Sequence, residues 1–222
     1  MTRLAEEFQR DVDPERLRRF ASSLGISPSG LQRLGVGWAE EYDAWTFPMV
    51  GSDDRVIGVR LRLSGGRKIS IRGGHEGIFV PADLHGSEPL LIAEGASDTC
   101  ALLDLGFETI GRPSCRGGTR IVLEFVRRRR PSQVAIMADG DAPGLEGAKA
   151  LAGRLMVSCP RVVIVTPPEG IKDVRAWKMA GATRESVLTN IRASAETKMR
   201  ITTELLPLPM RNRGGHVRRT FR

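Results

Sequence analysis

Carboxylates follow two short apolar runs in the middle of the chain. The run Leu-Leu-Ile-Ala ends at Glu94-Gly95, and the run Val-Ala-Ile-Met-Ala ends at Asp139-Gly140-Asp141. Each run predicts a buried parallel strand that is followed by a glycine-bearing turn and a helix. Ligands of open α/β sheets bind beyond the carboxyl ends of the strands, so Glu94, Asp139 and Asp141 are expected to converge there. Three such acids repel one another and favour a hard divalent cation, Mg²⁺ before Mn²⁺.

The elements that must position these acids alternate between strand and helix. This alternation predicts an α/β fold with a parallel sheet and right-handed crossovers. Predicted strands occupy residues 90–93, 109–111, 133–138 and 161–165, and predicted helices occupy residues 98–105, 120–130, 145–155 and 174–180.

The two acidic motifs resemble those of the Toprim domain, the metal-binding catalytic fold of bacterial primases, topoisomerases and some nucleases. The forms Glu94-Gly-x-x-Asp98 and Asp139-Gly-Asp-x-x-Gly144 are most similar to those of bacterial and phage primases. Lys172-Asp173-Val174 is similar to an acidic segment that follows a later strand in primases. The resemblance covers residues 90–191, and it implies a Toprim-like parallel sheet flanked by helices.

The resemblance implies a catalytic role for Glu94, Asp139 and Asp141. Asp98 lies one helical turn beyond Glu94 and is a candidate further metal ligand, as is Asp173. A plain alternative exists for each acid, because a carboxylate at a helix start also caps the helix and offsets its dipole.

The segment before the Toprim-like region has strand-like alternation of apolar and polar residues. Residues 46–50, 55–63, 67–72 and 77–80 predict antiparallel strands, preceded by helices over 13–24 and 28–34. In the second and third strands, Arg60, Arg62, Lys68 and Arg72 are expected on one face, which suits backbone phosphates. A merely solvated face is the alternative. A helix-turn-helix DNA reader is the other interpretation of the two helices, but packing against the sheet is favoured.

Two further stretches are candidates for phosphate or nucleotide contact. Arg112-Pro-Ser-Cys-Arg116-Gly-Gly118 is a glycine-rich basic loop at a strand end, and Arg116 is its candidate ligand. Lys172 is included because of the primase resemblance. Two other charged stretches are expected to be structural: Asp104 as a solvated helix residue, and residues 127–130 as cations that offset a helix dipole.

Composition limits the class of protein. The 222 residues carry 34 Lys and Arg against 26 Asp and Glu, a net charge of +8 that fits a polyanionic partner. The three cysteines are far apart, which predicts reduced thiols and no zinc ribbon. The sequence has no signal-peptide core and no long apolar run, so a soluble, cytoplasmic protein without membrane contact is expected.

These features predict three parts: a basic α+β subdomain over 1–86, a Toprim domain over 87–193 and a basic, disordered tail over 194–222. The expected function is a primase-type nucleotidyltransferase that makes short RNA primers on single-stranded DNA from ribonucleotides. A replicative helicase, or a zinc module acting in trans, is an expected partner. The alternatives are a Toprim nuclease or processing enzyme, and a weakly catalytic DNA-binding replication partner.

Overall fold

The structure is a computed structural model, and it describes residues 1–86 and 88–197. Two four-stranded sheets and eight α-helices make up the described part of the chain. The strands are β1 Gly37–Ala39, β2 Ala44–Val50, β3 Val56–Leu63, β4 Lys68–Ser70, β5 Leu90–Glu94, β6 Thr109–Arg112, β7 Gln133–Met137 and β8 Arg161–Val165. The helices are α1 Thr2–Arg10, α2 Pro14–Leu24, α3 Pro28–Arg33, α4 Ala96–Asp104, α5 Thr119–Arg129, α6 Ala142–Leu155, α7 Val174–Met179 and α8 Arg184–Ala193.

The first sheet is antiparallel, with the strand order β1-β2-β3-β4. Its strands alternate between two faces, so Val59 and Leu61 point to one side, where they pack with Ala5 and Phe8 of α1. Helix α1 was not predicted, because no side chain caps its start and no preceding turn residue marks it. It buries one face of the sheet. The other face carries the predicted basic residues on β3 and β4, whereas Trp45 and Phe47 of β2 on that face pack into the core with α2.

The second sheet is parallel, with the strand order β6-β5-β7-β8. Helices cover both of its faces, and each face has its own core. One core includes residues of α2, α3, α4, α7 and α8, and the other includes residues of α5 and α6. The predicted fold class, a helix-flanked parallel sheet preceded by an α+β part with antiparallel strands, is therefore confirmed.

The two N-terminal helices begin as their sequences predict. Asp13 accepts hydrogen bonds from the backbone N–H groups of Glu15 and Arg16, Ser27 accepts one from Gly30, and each cap is followed by proline. Both helices contribute to the core on the parallel sheet. Packing, and not an exposed DNA-reading pair, is what this part of the fold provides.

The expectation of a solvated Asp104 was wrong. Its side chain is only 6% exposed, it accepts hydrogen bonds from the backbone N–H and hydroxyl of Ser27, and it pairs with Lys178 Nζ at 3.2 Å. The carboxylate thereby ties α3, α4 and α7 together. Sequence reasoning missed this because Ser27 is 77 residues from Asp104.

Residues 77–80, predicted as a further antiparallel strand, form only isolated bridges. Ile78 bridges Val50 at the end of β2, and Phe79 bridges Gly111 in β6. The segment thus links the two sheets, and residues from both sheets, including Phe47 and Leu91, share one core. The boundary between residues 86 and 87 remains a prediction.

The end of the described chain lies along the outer strand of the parallel sheet. Glu196 bridges Val163 in β8, and the N–H of Thr197 donates to the carbonyl of Val162. The rest of the predicted tail, residues 198–222, lies outside the described residues.

All three cysteines are free, and Cys100 is buried as expected. None of the described helices is long and apolar enough to cross a membrane.

Candidate active site and nucleic-acid interface

Glu94 is the last residue of β5 and lies beside Arg112, its partner in β6. The carboxyl group is half-buried, and burial is the main cause that raises its pKa. A hydrogen bond from the Cys115 backbone and the charges of Arg112 and Lys68 act in the opposite direction. Glu94 is therefore held between a buried cation and the basic sheet.

Asp139 is the centre of the acidic cluster. Burial raises its pKa to about 7, with further contributions from Glu94, Asp98, Asp173 and Asp141, in that order. The charges of the other four predicted metal-site acids thus act on Asp139. The convergence of these acids on one metal site remains a prediction.

Two glycines bring the backbone segments of the cluster together. The N–H of Gly140 donates to the carbonyl of Lys172 at 2.7 Å, which places the loop carrying Asp173 against the Asp139 turn. A Cβ on Gly144 would lie only 2.8 Å from Cβ of Asp139, so α6 can approach this turn only with glycine there.

Three of the acids also have structural partners. Oδ1 of Asp141 accepts a hydrogen bond from Gly144 N at 2.8 Å, and Oδ1 of Asp173 accepts one from Ala176 N at 2.7 Å. Each caps the helix that follows, so the capping alternative holds for both. Asp98 is buried and accepts a hydrogen bond from Arg175 N at 3.0 Å. Burial, and then Asp173, raises the pKa of Asp98 to about 6.

Asp139 and Asp141 do not lie on the strand itself. β7 ends at Met137, and the two acids occupy the turn between β7 and α6. Their nearness comes from this turn and from the cap at Asp141, and not from the two-residue repeat of a strand.

The donor set suits a hard cation. Every acid in the cluster offers oxygen, which Mg²⁺ and Mn²⁺ prefer. The pKa of Asp139 is raised first by burial and then by the neighbouring acids, and a cation would offset both effects. As positioned, however, the described residues contain no group of three His, Cys, Asp or Glu at metal-ligating spacing. The residues fit a metal in type and location, and metal binding remains a prediction.

The basic face lies on the antiparallel sheet opposite α1. Arg62 pairs with Lys68 across β3 and β4, and Arg60 pairs with Ser70, so these side chains share one face. β4 ends at Ser70, and Arg72 is exposed in the following turn. Its contribution to the face remains a prediction.

A groove joins this face to the acidic edge. It is lined by Phe47, Arg60, Arg62, Lys68, Phe79 and the turn from Gly95 to Ser97 that follows Glu94. The two aromatic rings are buried in the core, so the part of the groove that suits phosphates is its cations, which lie beside the turn after Glu94. The sequence pattern located the cations but not Phe47 and Phe79, which only the pairing of β2 and the bridge to β6 bring to the groove.

The loop from Arg112 to Gly118 differs from the predicted phosphate cradle. Arg112 is only 4% exposed, and its guanidinium donates inward to the carbonyls of Gly117 and Cys115. The N–H groups of Gly117 and Gly118 are already bonded, to Ser114 Oγ and Glu76 Oε1. Arg112 therefore braces the loop beside Glu94.

The other predicted loop contacts are solvent-facing. Arg116 and Lys172 are exposed, the first on this loop and the second beside Asp173. Neither position contradicts phosphate contact, and both residues remain predicted ligands.

Solved structures with the same architecture include primases. The DnaG primase catalytic domain bound to single-stranded DNA matches with a TM-score of 0.69 at 15% identity, over 88% of this chain and 78% of that one. The Aquifex aeolicus primase, with its zinc-binding and RNA polymerase domains, gives 0.68 at 17% identity, over 88% and 60%. The primase fragment of the bacteriophage T7 primase-helicase gives 0.56 at 14%, over 77% and 72%.

The fold is that of a primase catalytic core. The resemblance drawn from the two acidic motifs is confirmed at this level, because the DnaG catalytic core matches 87% of this chain with a TM-score of 0.69. No protein-family model matches the sequence. No curated protein sequence is significantly similar to it.

Proposed function

We propose that the protein is a primase-like nucleotidyltransferase that makes short RNA primers on single-stranded DNA. The observation that carries this proposal is the groove of a primase-core fold, in which Arg60, Arg62 and Lys68 lie beside the turn that follows Glu94. Template-directed synthesis requires a surface that binds the template strand next to acids suited to phosphoryl chemistry.

Asp139 and Asp141 would hold the cation, with Glu94, Asp98 and Asp173 around them. Bound there, Mg²⁺ or Mn²⁺ would neutralise phosphate oxygens and lower the pKa of an attacking hydroxyl. Glu94 lies where it would either ligate the cation or accept the proton of that hydroxyl. Arg112 and the Cys115 backbone keep its carboxyl group in place.

Arg60, Arg62 and Lys68 would bind the phosphates of template or ribonucleotide, with Arg72, Arg116 and Lys172 at the periphery. One similar primase domain is bound to single-stranded DNA, one belongs to a primase-helicase, and one includes a zinc-binding domain. These likenesses support single-stranded DNA as the template and a helicase or zinc module as a partner.

The test is a primer-synthesis assay with labelled ribonucleotides, single-stranded template and Mg²⁺ or Mn²⁺, with products resolved by length. Extension products that require both template and metal are expected. A shortened template without extension would instead indicate the nuclease. Neither product, even with a helicase or zinc module added, would leave a DNA-binding role and overturn the proposal.

A further inference from the structure

A second groove lies on the side of the antiparallel sheet that α1 covers, away from the basic face. It is bounded by α1, the ends of β2, β3 and α3, residues 80–84 and the last turn of α5. Pro48 lines it and pairs with Val59, whose side chain packs with α1, so the groove is on the α1 side of the sheet. We call it the α1 groove. Its volume of about 410 Å³ is within the range of about 300–1,000 Å³ that is usual for ligand-binding pockets.

The floor of the α1 groove is apolar and incompletely covered. Five apolar residues that line it are each only half-buried: Pro48, Val50, Val56, Val80 and Leu84. Apolar surface gathered in one concave place is characteristic of a docking site. An apolar side chain that covered this floor would be stabilised, because both surfaces would be removed from water.

The rim of the α1 groove carries two charges of opposite sign that are not in ion pairs. Two other charged rim residues, Arg33 and Asp54, are paired with carboxylate and guanidinium groups nearby. Within the described part of the chain, Glu6 and Arg129 have no oppositely charged group within 4.0 Å. An occupant with an apolar centre and a charge of each sign at its ends would therefore complement both the floor and the rim.

The chain itself contains a run with this chemistry. Residues 205–210 read Leu-Leu-Pro-Leu-Pro-Met, Glu204 precedes them, and Arg211 and Arg213 follow closely. We call residues 205–210 the Leu-Pro run, and they lie outside the described part of the chain. Proline restricts the backbone, which lowers the entropy cost of ordering a segment on a surface.

The described chain ends close enough to the α1 groove for this run to reach it. Thr197 bonds to Val162 of β8, and Val162 is the cross-strand neighbour of Val134 in β7. Val134 follows Arg129, on the rim of the groove, by only five residues. These steps place Arg129 within about 30 Å of Thr197, and a segment from 197 to 208 spans up to about 40 Å when extended.

We propose that the Leu-Pro run docks in the α1 groove of its own chain. Its leucines and methionine cover the half-buried apolar floor, and the charges that flank it lie near Glu6 and Arg129. Because a tether to the same chain gives a high effective concentration, a contact of modest area is enough to keep the groove occupied. The docking does not depend on the proposed function. The competing occupants are the Leu-Pro run of a second copy and a similar segment of another protein.

Disulfide trapping in the full chain tests the docking. Ala82 lines the α1 groove and is exposed, so Ala82→Cys is combined with Met210→Cys, and Cys115→Ser removes the native cysteine that is not buried. Ala193→Cys with Met210→Cys is the matched control, because Ala193 is also exposed and is much closer to residue 210 in sequence. In oxidised glutathione, the intrachain disulfide between positions 82 and 210 should form at least about tenfold faster than the one between positions 193 and 210. Peptide mapping by mass spectrometry measures both rates.

Two paired substitutions test the apolar nature of the contact without changing the groove itself. Leu206→Asp with Leu208→Asp should slow the disulfide between positions 82 and 210 about tenfold. Thr202→Asp with Thr203→Asp adds the same charge just before the run, and it should change the rate by less than about twofold. Equal slowing by the two pairs would mean that charge, and not apolar contact, governs the rate, and it would overturn the inference.

The remaining outcomes identify other occupants. A disulfide-linked dimer in place of the intrachain bond, seen on a non-reducing gel, would assign the α1 groove to the run of a second copy and overturn docking within one chain. Equal rates at positions 82 and 193 would show that the run has no preference for the groove. The inference would then fail, and the groove would be left to a segment of another protein.

Discussion

The acidic edge of the parallel sheet and the basic face of the antiparallel sheet are built in different ways. The acids are short side chains at strand ends and helix caps, so the backbone fixes where their oxygens lie. The cations are long side chains on the paired strands β3 and β4, and Lys68, the first residue of β4, is exposed. The acidic edge therefore places its carboxylate oxygens accurately, which phosphoryl chemistry requires. The basic face contacts phosphates and can therefore bind DNA of any sequence.

The largest expected effect comes from neutralising one acid. Glu94→Gln changes charge but hardly volume, so primer synthesis should fall by at least about a hundredfold while single-stranded DNA binding stays within about twofold. Product yield by gel and binding by anisotropy measure the two. Loss of both primer synthesis and DNA binding would show that the acidic edge and the basic face do not act independently.

Metal binding should depend on the turn after β7. Asp139→Asn combined with Asp141→Asn should abolish saturable binding of Mg²⁺ or Mn²⁺, measured by titration. Folding should persist, because asparagine caps a helix nearly as well as aspartate. Asp104→Asn is the matched control, since Asp104 is a buried acid outside the cluster. An unchanged metal affinity in the double variant would refute the site.

The basic face is expected to lose affinity for DNA gradually as its cations are removed. Replacing Arg60, Arg62 and Lys68 with alanine should weaken binding of single-stranded DNA and lower the slope of log affinity against log salt by about 0.7 for each cation that no longer binds a phosphate. Arg10, Arg18 and Lys149 are exposed and lie outside the face, so their triple replacement removes the same charge as a control. Equal affinities of the two triple variants would mean that the face is only solvated.

The sequence predicts the residues of a region well when they lie close in sequence to the strands that carry them, and poorly when their partners are distant in sequence. The acids at Glu94 and Asp139 are adjacent in sequence to apolar strands, so the apolar runs and the Toprim resemblance predict where these acids lie. The alternation of Arg60 and Arg62 predicts that they share a face, and the pairing of β3 with β4 agrees with this. Arg112 was assigned to a phosphate cradle, although burial turns its donors inward. Asp104 and Arg175 were missed, because their partners lie 77 or more residues away and no local pattern encodes such contacts.

Burial of Asp139, together with repulsion from the neighbouring acids, should appear as a pH dependence of stability in EDTA. The folded-state pKa of Asp139, about 7, lies above its ordinary value near 4, so the folded protein binds this proton more tightly than the unfolded chain. Stability from this group is complete below about pH 4 and is lost as the pH rises to about 7. Asp139→Asn removes the titration, so it should raise the melting temperature at pH 8 relative to the parent and change it little at pH 4. A melting temperature lowered equally at both pH values would show that Asp139 is simply a packed side chain.

The smallest expected effect on function belongs to Asp104, whose side chain is buried and is bonded to Ser27 and Lys178. Asp104→Asn should lower the stability of the fold by about 1–3 kcal/mol, because it weakens the bonds to Ser27 and leaves Lys178 without its counter-charge. Denaturant unfolding measures this cost. Metal and DNA binding by the folded variant should be unchanged, because the Ser27–Asp104–Lys178 contact lies outside both the acidic edge and the groove. A loss of metal affinity in the folded variant would instead mean that the packing of α7 sets the position of Asp173, which caps that same helix, and that the acidic edge depends on contacts well beyond its own strands.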